Sequence, residues 1–282
     1  MAASGLIGIR RRIKSVTNIR KITKAMGLVA TAKLRKARVN LEVNRKYYNA
    51  YRESMDTIVN SMDEKSIYIN GNNSEYKLYV ILTSDSGLCG SFNMNVINRS
   101  VDEIKKDKEK SKIIVVGQRG RNYLKRLKIN TLAEYVEIPD VPTLKEARII
   151  EEHILKLYNS KEVGEVYIVY SEFYSPVKQE IKIEKLLPFN RGEVDSNKYI
   201  EFNPQSDKLL EIVTENYIKG SILNFLLNSK ASEIGSRMTA MNGATDNAND
   251  LLSNLNLKFN RLRQSAITQE ISEIVGGAEA QR

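Results

Sequence analysis

Very little in this chain can perform covalent chemistry. Its 282 residues include one cysteine (Cys89), one histidine (His153) and no tryptophan. A lone cysteine excludes an internal disulfide framework and suits a reducing compartment. A lone histidine argues against a histidine-ligated metal, so no metal site is expected. No apolar run approaches the roughly 18 residues of a membrane span. No G-x-x-x-x-G-K-[ST] loop occurs, so this chain is not expected to hydrolyse nucleotide itself. No compact apolar signal core is present, and a heptad pattern begins almost at Met1, so no cleaved leader or transit peptide is expected. The five prolines all lie between Pro139 and Pro204, leaving both terminal stretches without a helix breaker. Acidic residues are missing from one place. The first 41 residues carry eleven Lys or Arg and no Asp or Glu, within a net charge of +10. Such a stretch seeks an acidic surface: nucleic acid, anionic lipid or acidic protein.

What is present is heptad order. Alternating steps of three and four from Ala231 reach Ile234, Met238, Met241, Thr245, Ala248, Leu252, Leu255, Phe259, Leu262 and Ala266. Only Thr245 is polar, and the pattern is that of a coiled-coil seam. From roughly Asp207 to Val275 it predicts a helix on the order of 100 Å long. The same stepping from Leu6 runs through Ile9, Ile13, Val16, Arg20, Thr23, Gly27, Ala30, Leu34, Ala37, Leu41, Asn44, Tyr48, Tyr51, Met55 and Ile58 to Met62. Arg20, Thr23, Gly27 and Asn44 interrupt it. A second apolar line, Ile19, Ile22, Met26 and Val29, is offset from the first. A helix apolar on two faces must be enclosed on two sides, so a partner outside the chain is expected.

Between these arms the pattern changes. Asn70–Ser74 is a polar linker. Tyr76–Thr83, Lys112–Val116 and Glu165–Ser171 read as buried strands, and Gln179–Leu187 as an edge or antiparallel strand. Helices are expected at Asn93–Lys108, Gln118–Leu127 and Thr143–Tyr158. Strand-helix alternation predicts a mainly parallel, Rossmann-like α/β domain. Pro188–Ser206 reads as a loop, with Asn203-Pro204 as cap and first turn of the last helix. The expected organisation is a first long helix at 1–70, a central α/β domain at 71–206 and a last long helix at 207–282. The two helices pair as an antiparallel coiled coil. The second is longer by roughly a dozen residues, which leaves about 20 Å of unpartnered tip.

Three motifs have a chemical and a structural reading. Ser84-Asp85-Ser86-Gly87 would need a base to act as a hydrolase, and no G-x-S-x-G elbow exists, so a strand-to-helix turn is expected. Gly117-Gln-Arg-Gly120 follows a strand but lacks dinucleotide spacing. Cys89 is expected to be small and buried, and His153 a surface or boundary residue. The basic first helix could grip DNA in a zipper-like manner, but its basic stretch lies inside the seam, so no nucleic-acid partner is expected.

Three segments carry a resemblance: Lys24-Ala-Met-Gly-Leu-Val-Ala-Thr-Ala-Lys-Leu-Arg-Lys-Ala37, Ser84-Asp-Ser-Gly-Leu-Cys-Gly-Ser-Phe-Asn93, and Arg237-Met-Thr-Ala-Met-Asn-Gly-Ala-Thr-Asp-Asn-Ala248 with Asn260 to Ala278. Together they resemble the gamma subunits of F-type ATP synthases. The resemblance implies a rotor shaft with no catalytic residue and no cofactor of its own. Its implied partners are three alpha and three beta subunits, an epsilon subunit and a membrane c ring, the only route to the membrane. It implies that Lys24, Met26 and Lys33 meet a moving beta-subunit loop. Arg263, Gln264, Thr268 and Glu270 match positions that hold the beta collar, and Arg237 matches another coupling position. Ile267, Ile271, Ile274 and Val275 match a greasy bearing tip. Phe202-Asn203-Pro204 departs from the aromatic-Glu-Pro common in the family, and no two-cysteine regulatory insert is present. A bacterial protein, peripheral on the cytoplasmic face of the plasma membrane, is expected. A static scaffold and a nucleic-acid binder are the competing classes. Alone, the chain is expected to behave poorly because its second apolar faces would be exposed.

Overall fold

The computed structural model describes residues 2–61, 66–190 and 206–279. The first long helix is α1 (Ala2–Ser61), followed by a single turn α2 (Ile67–Asn70). The middle of the chain holds β1 (Lys77–Leu82), α3 (Phe92–Ile104), β2 (Ser111–Val116), α4 (Gln118–Arg126), β3 (Ala133–Tyr135) and α5 (Leu144–Asn159). Then come β4 (Glu165–Phe173), β5 (Gln179–Leu187) and the last long helix α6 (Ser206–Glu279). Met62, the Phe202-Asn203-Pro204 sequence and the cap expected at Asn203 lie outside the described residues.

Five strands form one sheet in the order β3-β2-β1-β4-β5, parallel except for the β4/β5 pair. Strand β1 (KLYVIL) is buried along nearly its whole length, as a central parallel strand must be when helices cover both faces. Its period of two splits the core. Leu78, Val80 and Leu82 join Ile150 and Ile154 of α5 and Ile218, Ile222 and Phe225 of α6. Tyr79 and Ile81 join Val96 and Ile97 of α3 and Leu124 of α4. Helix α5 starts on a capping box, with Thr143 and Glu146 each bonding the other's backbone or side chain.

Three details differ from expectation. Helix α3 stops at Ile104, and Lys105–Lys110 is a 3-10 segment with Asp107 at φ −141°. The run Lys-Lys-Asp-Lys-Glu-Lys has no apolar residue to bury, so nothing holds a further helical turn against the sheet. Strand β3 has only three residues, too few to show a period. Ile67–Asn70 is helical because Ser66 caps it and because Tyr68 and Ile69 bury into the sheet's core.

The chain divides into two compact units, Met1–Val29 with Met238–Arg282, and Ala30–Arg237. This division falls inside both long helices, not at residues 70 and 206. In the first unit the helices run antiparallel. Val16 packs with Ala248, Leu252 and Leu255, with Ile9 and Ile13 beside them. The interruptions of the first seam are matched across it. Arg20 Nη1 donates to Asn249 Oδ1 over a long 3.4 Å. The Thr245 hydroxyl donates to Thr23 Oγ1 (2.8 Å), whose own proton goes to the Arg20 carbonyl (3.1 Å). At Gly27 an added Cβ would lie 2.8 Å from Asn242 Oδ1, so glycine lets that amide pass close. The second unit has the counterpart: Asn44 Nδ2 donates to Asn224 Oδ1 (3.2 Å). Polar or small residues at seam positions cost apolar area but reject every register except the one that pairs them.

One carboxyl on a largely buried residue of the second unit predicts a pH effect. Glu151 of α5 is 5% exposed and has no hydrogen-bond or ion-pair partner among the described residues. Burial raises its pKa; Lys219 and Arg148 oppose that shift, and Glu215 and Glu152 add to it. A carboxyl with a raised folded pKa imposes no penalty below its unfolded pKa and its full penalty above the folded one. The carboxylate oxygens are not sealed from solvent, so Glu151→Gln is expected to stabilise the chain by only about 0.5 kcal/mol at pH 7 and to do nothing near pH 4. Urea unfolding at the two pH values measures this, and an equal effect at both would show that the carboxyl is not ionising in place.

Candidate functional site

In an open parallel sheet, ligands enter where successive connections leave in opposite directions, at the carboxyl ends of the strands. Here that point lies between β1 and β4, and helix α6 fills it. Ser229 Oγ donates to the Leu82 carbonyl (3.4 Å) and Ser232 Oγ to the Ser171 carbonyl (3.1 Å). Asn228 Oδ1 accepts from the Phe173 amide (3.3 Å), and Ser236 Oγ donates to Gln179 Oε1 (2.7 Å). Small hydroxyl residues let the helix approach the strand ends and satisfy carbonyls that would otherwise face a crevice. The place where this fold holds a nucleotide is occupied by the chain's own helix.

A charged network extends from that contact. Glu233 is 4% exposed and Lys230 is 7% exposed, and Lys230 Nζ lies 3.2 Å from Glu233 Oε2. Arg237, one turn further on α6, donates to Glu233 Oε1 (2.9 Å). The nitrogen that makes this bond, Nη2, also reaches the loop after β1, at Ser86 O (3.2 Å) and Oγ (2.8 Å), and Nε donates to Gly87 O (3.2 Å). That loop is itself anchored. Asp85 accepts from the Gln118 amide (3.0 Å) and the Ile138 amide (3.1 Å), while Ser84 and Asn93 bond each other. Two residues beyond Ile138, Asp140 forms an ion pair of 2.6 Å with Lys33 of α1. Its carboxyl is held below the usual range, first by the bond from Lys33 and further by the charges of Lys230 and Arg237. The arrangement is a clasp joining α1, α6 and two loops of the α/β domain.

The chemical alternatives find no support in this geometry. Ser84 is fully buried, and the imidazole of His153 is engaged 2.8 Å from the Tyr135 hydroxyl. Gly120 lets α4 pack on β1: a Cβ there would meet Thr83 Oγ1 at 2.4 Å, and its N–H donates to that same oxygen (3.0 Å). Cys89 is buried beside Asn93 Nδ2 (3.2 Å).

The expected site residues separate into two groups. Lys33 and Arg237 belong to the clasp. Lys24 and Met26 lie on α1 in the first unit, Lys24 exposed and Met26 half-buried. Arg263, Gln264, Thr268 and Glu270 are exposed on α6, where the Thr268 hydroxyl donates to the Gln264 carbonyl one turn earlier. The tip residues Ile267, Ile271, Ile274 and Val275 are exposed, Ile274 at 71%. On α1 the second apolar line is open too, with Ile19, Ile22 and Val29 each more than half exposed. Sequence reasoning missed Ser86, Asp140, Lys230 and Glu233. The one available signal was the charged series 230, 233, 237 inside an otherwise apolar stretch of α6.

Comparison with known proteins agrees with this construction. A protein-family model described as ATP synthase matches residues 5–281. The ATP synthase gamma chain of Clostridium botulinum (strain Kyoto / Type A2) is 72% identical over 282 residues, covering all of both chains. That of Clostridium pasteurianum is 56% identical over 280 residues, covering 99% of this chain and 100% of the relative. Among solved structures, the central stalk/c-ring of the Tetrahymena thermophila mitochondrial ATP synthase superposes with a TM-score of 0.65 at 26% identity, over 79% of this chain and 99% of that one. A chain of the Euglena gracilis mitochondrial ATP synthase shares the fold at TM-score 0.78 and 20% identity, over 99% and 95% of the two chains.

Proposed function

Because the chain belongs to the ATP synthase gamma-chain family, we propose that it couples two machines through the surfaces just described: a catalytic hexamer and an ion-driven ring. The subunit is the non-catalytic rotor shaft of an F-type ATP synthase. Its sleeve consists of three alpha and three beta subunits around the first unit, and the α/β domain rests with an epsilon subunit on a c ring. The complex sits on the cytoplasmic face of a bacterial plasma membrane, reached only through that ring, and this chain binds no cofactor or nucleic acid. No helix among the described residues is long and apolar enough to cross a membrane.

One observation carries this reading. The seam between the helices is buried, yet α1 still exposes Ile19, Ile22 and Val29, and α6 exposes Ile267, Ile271, Ile274 and Val275. A helix pair that has satisfied its own seam and keeps two apolar faces requires a surrounding partner. The basic residues flanking those faces, Lys24 among them, give the partner's sign: acidic loops on the beta subunits. Met26, Arg263, Gln264, Thr268 and Glu270 make the contacts that differ between orientations, and such differences are what transmit rotation to binding affinity. The clasp, with Lys33 and Arg237, makes the long helices turn with the α/β domain.

Reconstitution tests this. The chain mixed with alpha and beta subunits is expected to form a complex that turns over ATP faster than the subunits without it. Met26→Lys, which adds a cation beside Lys24, is expected to retain hydrolysis while lowering ATP-driven ion transport roughly five-fold or more. If no complex forms and the chain instead retards nucleic acid with a steep salt dependence, the basic arm is a nucleic-acid surface and the shaft reading is wrong.

A further inference from the structure

A cleft of about 630 Å³ opens in the second unit between α1 and the β4–β5 hairpin, floored by α6. Helix α1 contributes Arg45, Asn49 and Arg52 to it, spaced one and two turns apart on one face. Each arginine faces a carboxylate, Arg45 at 3.6 Å from Glu172 and Arg52 at 3.7 Å from Glu184. Both distances exceed hydrogen-bond range, so the guanidinium N–H donors are not spent there. The carboxylates have other donors. Tyr174 bonds Glu172 (2.6 Å) and Tyr170 bonds Glu184 (3.2 Å). On the floor, Asn224 is 6% exposed. Its Oδ1 accepts from Asn44 and Asn228, while its Nδ2 has no acceptor among the described residues. Lys182 of β5 also lines the cleft, but its ammonium is paired 3.3 Å from Glu180 and lies 3.9 Å from Glu172, so the arginines and the Asn224 amide carry the free donors.

Unspent donors therefore converge from α1 and α6 on a space whose two carboxylates, Glu172 and Glu184, lie beyond hydrogen-bond range of the arginines. We propose that this cleft binds a small oxyanion of the phosphate class, gripped by Arg45 and Arg52 and seated on the Asn224 amide. Planar guanidinium forks match phosphate oxygens in pairs. A tetrahedral anion offers acceptors in several directions at once, as donors from two positions on α1 and from α6 require, whereas a carboxylate offers them in one plane. The ligand would bridge α1 to α6 beneath the β4–β5 hairpin, replacing two loose ion pairs with charge-assisted hydrogen bonds.

The test is hydrogen exchange followed by mass spectrometry on the full chain at high dilution, with inorganic phosphate, pyrophosphate or ADP, and with chloride at matched ionic strength. Saturable protection of the peptides covering residues 44–53 and 180–185 is expected with phosphate and not with chloride. In R45Q/R52Q the apparent affinity is expected to fall at least about ten-fold. Protection at lower concentration with ADP than with free phosphate identifies a nucleotide's phosphate as the occupant; the reverse order identifies the free ion. If the double variant loses helicity by circular dichroism, Lys182→Gln at the cleft mouth decides, with roughly three-fold weakening expected. Absence of saturable protection by any of the three probes, equal protection by chloride, or binding unchanged in the variants overturns the proposal.

Discussion

Glu233→Ala is expected to destabilise the second unit by about 3–5 kcal/mol in urea unfolding, among the largest single effects in the chain. The substitution leaves two cations in place. Lys230 is nearly as buried as its partner, and the Arg237 side chain is 14% exposed. Arg237 keeps its three contacts with Ser86 and Gly87, which moves the expected cost toward the lower end. Lys230 keeps nothing comparable. Removing both members of the inner pair as Lys230→Met with Glu233→Leu is expected to recover most of the loss, because the unpaired buried charge is gone. A cost below about 1 kcal/mol for Glu233→Ala would mean that the pair is solvated and the clasp is held by its loop contacts alone. In an assembled complex the same variant is expected to weaken coupling more than assembly, since the first unit, with its apolar faces, is untouched.

Gly164→Ala is expected to cost about 3 kcal/mol or more and to abolish stable folding of the α/β domain. Gly164 lies just before β4, and an added Cβ would stand 1.9 Å from the Ser74 carbonyl oxygen and 2.8 Å from its carbon. The obstacle is backbone, not a side chain that can swing aside. Nor can that backbone retreat. Asn72, 6% exposed, donates to the carbonyls of Tyr158 (2.8 Å) and Val163 (2.7 Å) and accepts from the Ser74 amide (3.1 Å). The Gly164 amide donates to the Tyr76 carbonyl (2.7 Å) at the entrance to β1. Thermal unfolding followed by circular dichroism reads the loss as disappearance of the strand signal with helix content partly retained. A fully folded variant would show that the 72–76 segment moves more freely than these bonds allow.

These two sites mark the line between residue order and tertiary structure. The seam positions were legible because a period of about 3.5 aligns apolar residues whatever surrounds them. Every described seam residue from Leu6 to Ile58, and from Ala231 to Ala266, is buried or half-buried. The second face was legible for the same reason: Ile19, Ile22 and Val29 repeat at helical spacing off the seam, and repetition needs no knowledge of the partner. Strands β1, β2, β4 and β5 followed from β-branched runs between turn residues. Short elements were not legible, because three residues of β3 or four of α2 contain no period to read.

The interruptions in the first seam show what pattern leaves undecided. In the sequence, Arg20, Thr23, Gly27 and Asn44 are defects in an apolar stripe. In the structure they face Asn249, Thr245, Asn242 and Asn224, and they set the register. Pairing depends on which residues meet across 180 or more positions of chain, and no local rule carries that information.

Residue order by itself determined two long proline-free helices with one shared seam, surplus apolar faces, a basic first arm and an α/β domain between them. Those follow from composition and period, which act through local geometry and the burial of area. Only the tertiary structure decided that α6 would plug the ligand crevice of the sheet, and that Lys33, Asp140, Ser86, Lys230, Glu233 and Arg237 would form one clasp. In a linear chain each of those charges is indistinguishable from a solvated one. Burial and the identity of the neighbour decide what a charge does, and both arise only when distant segments pack.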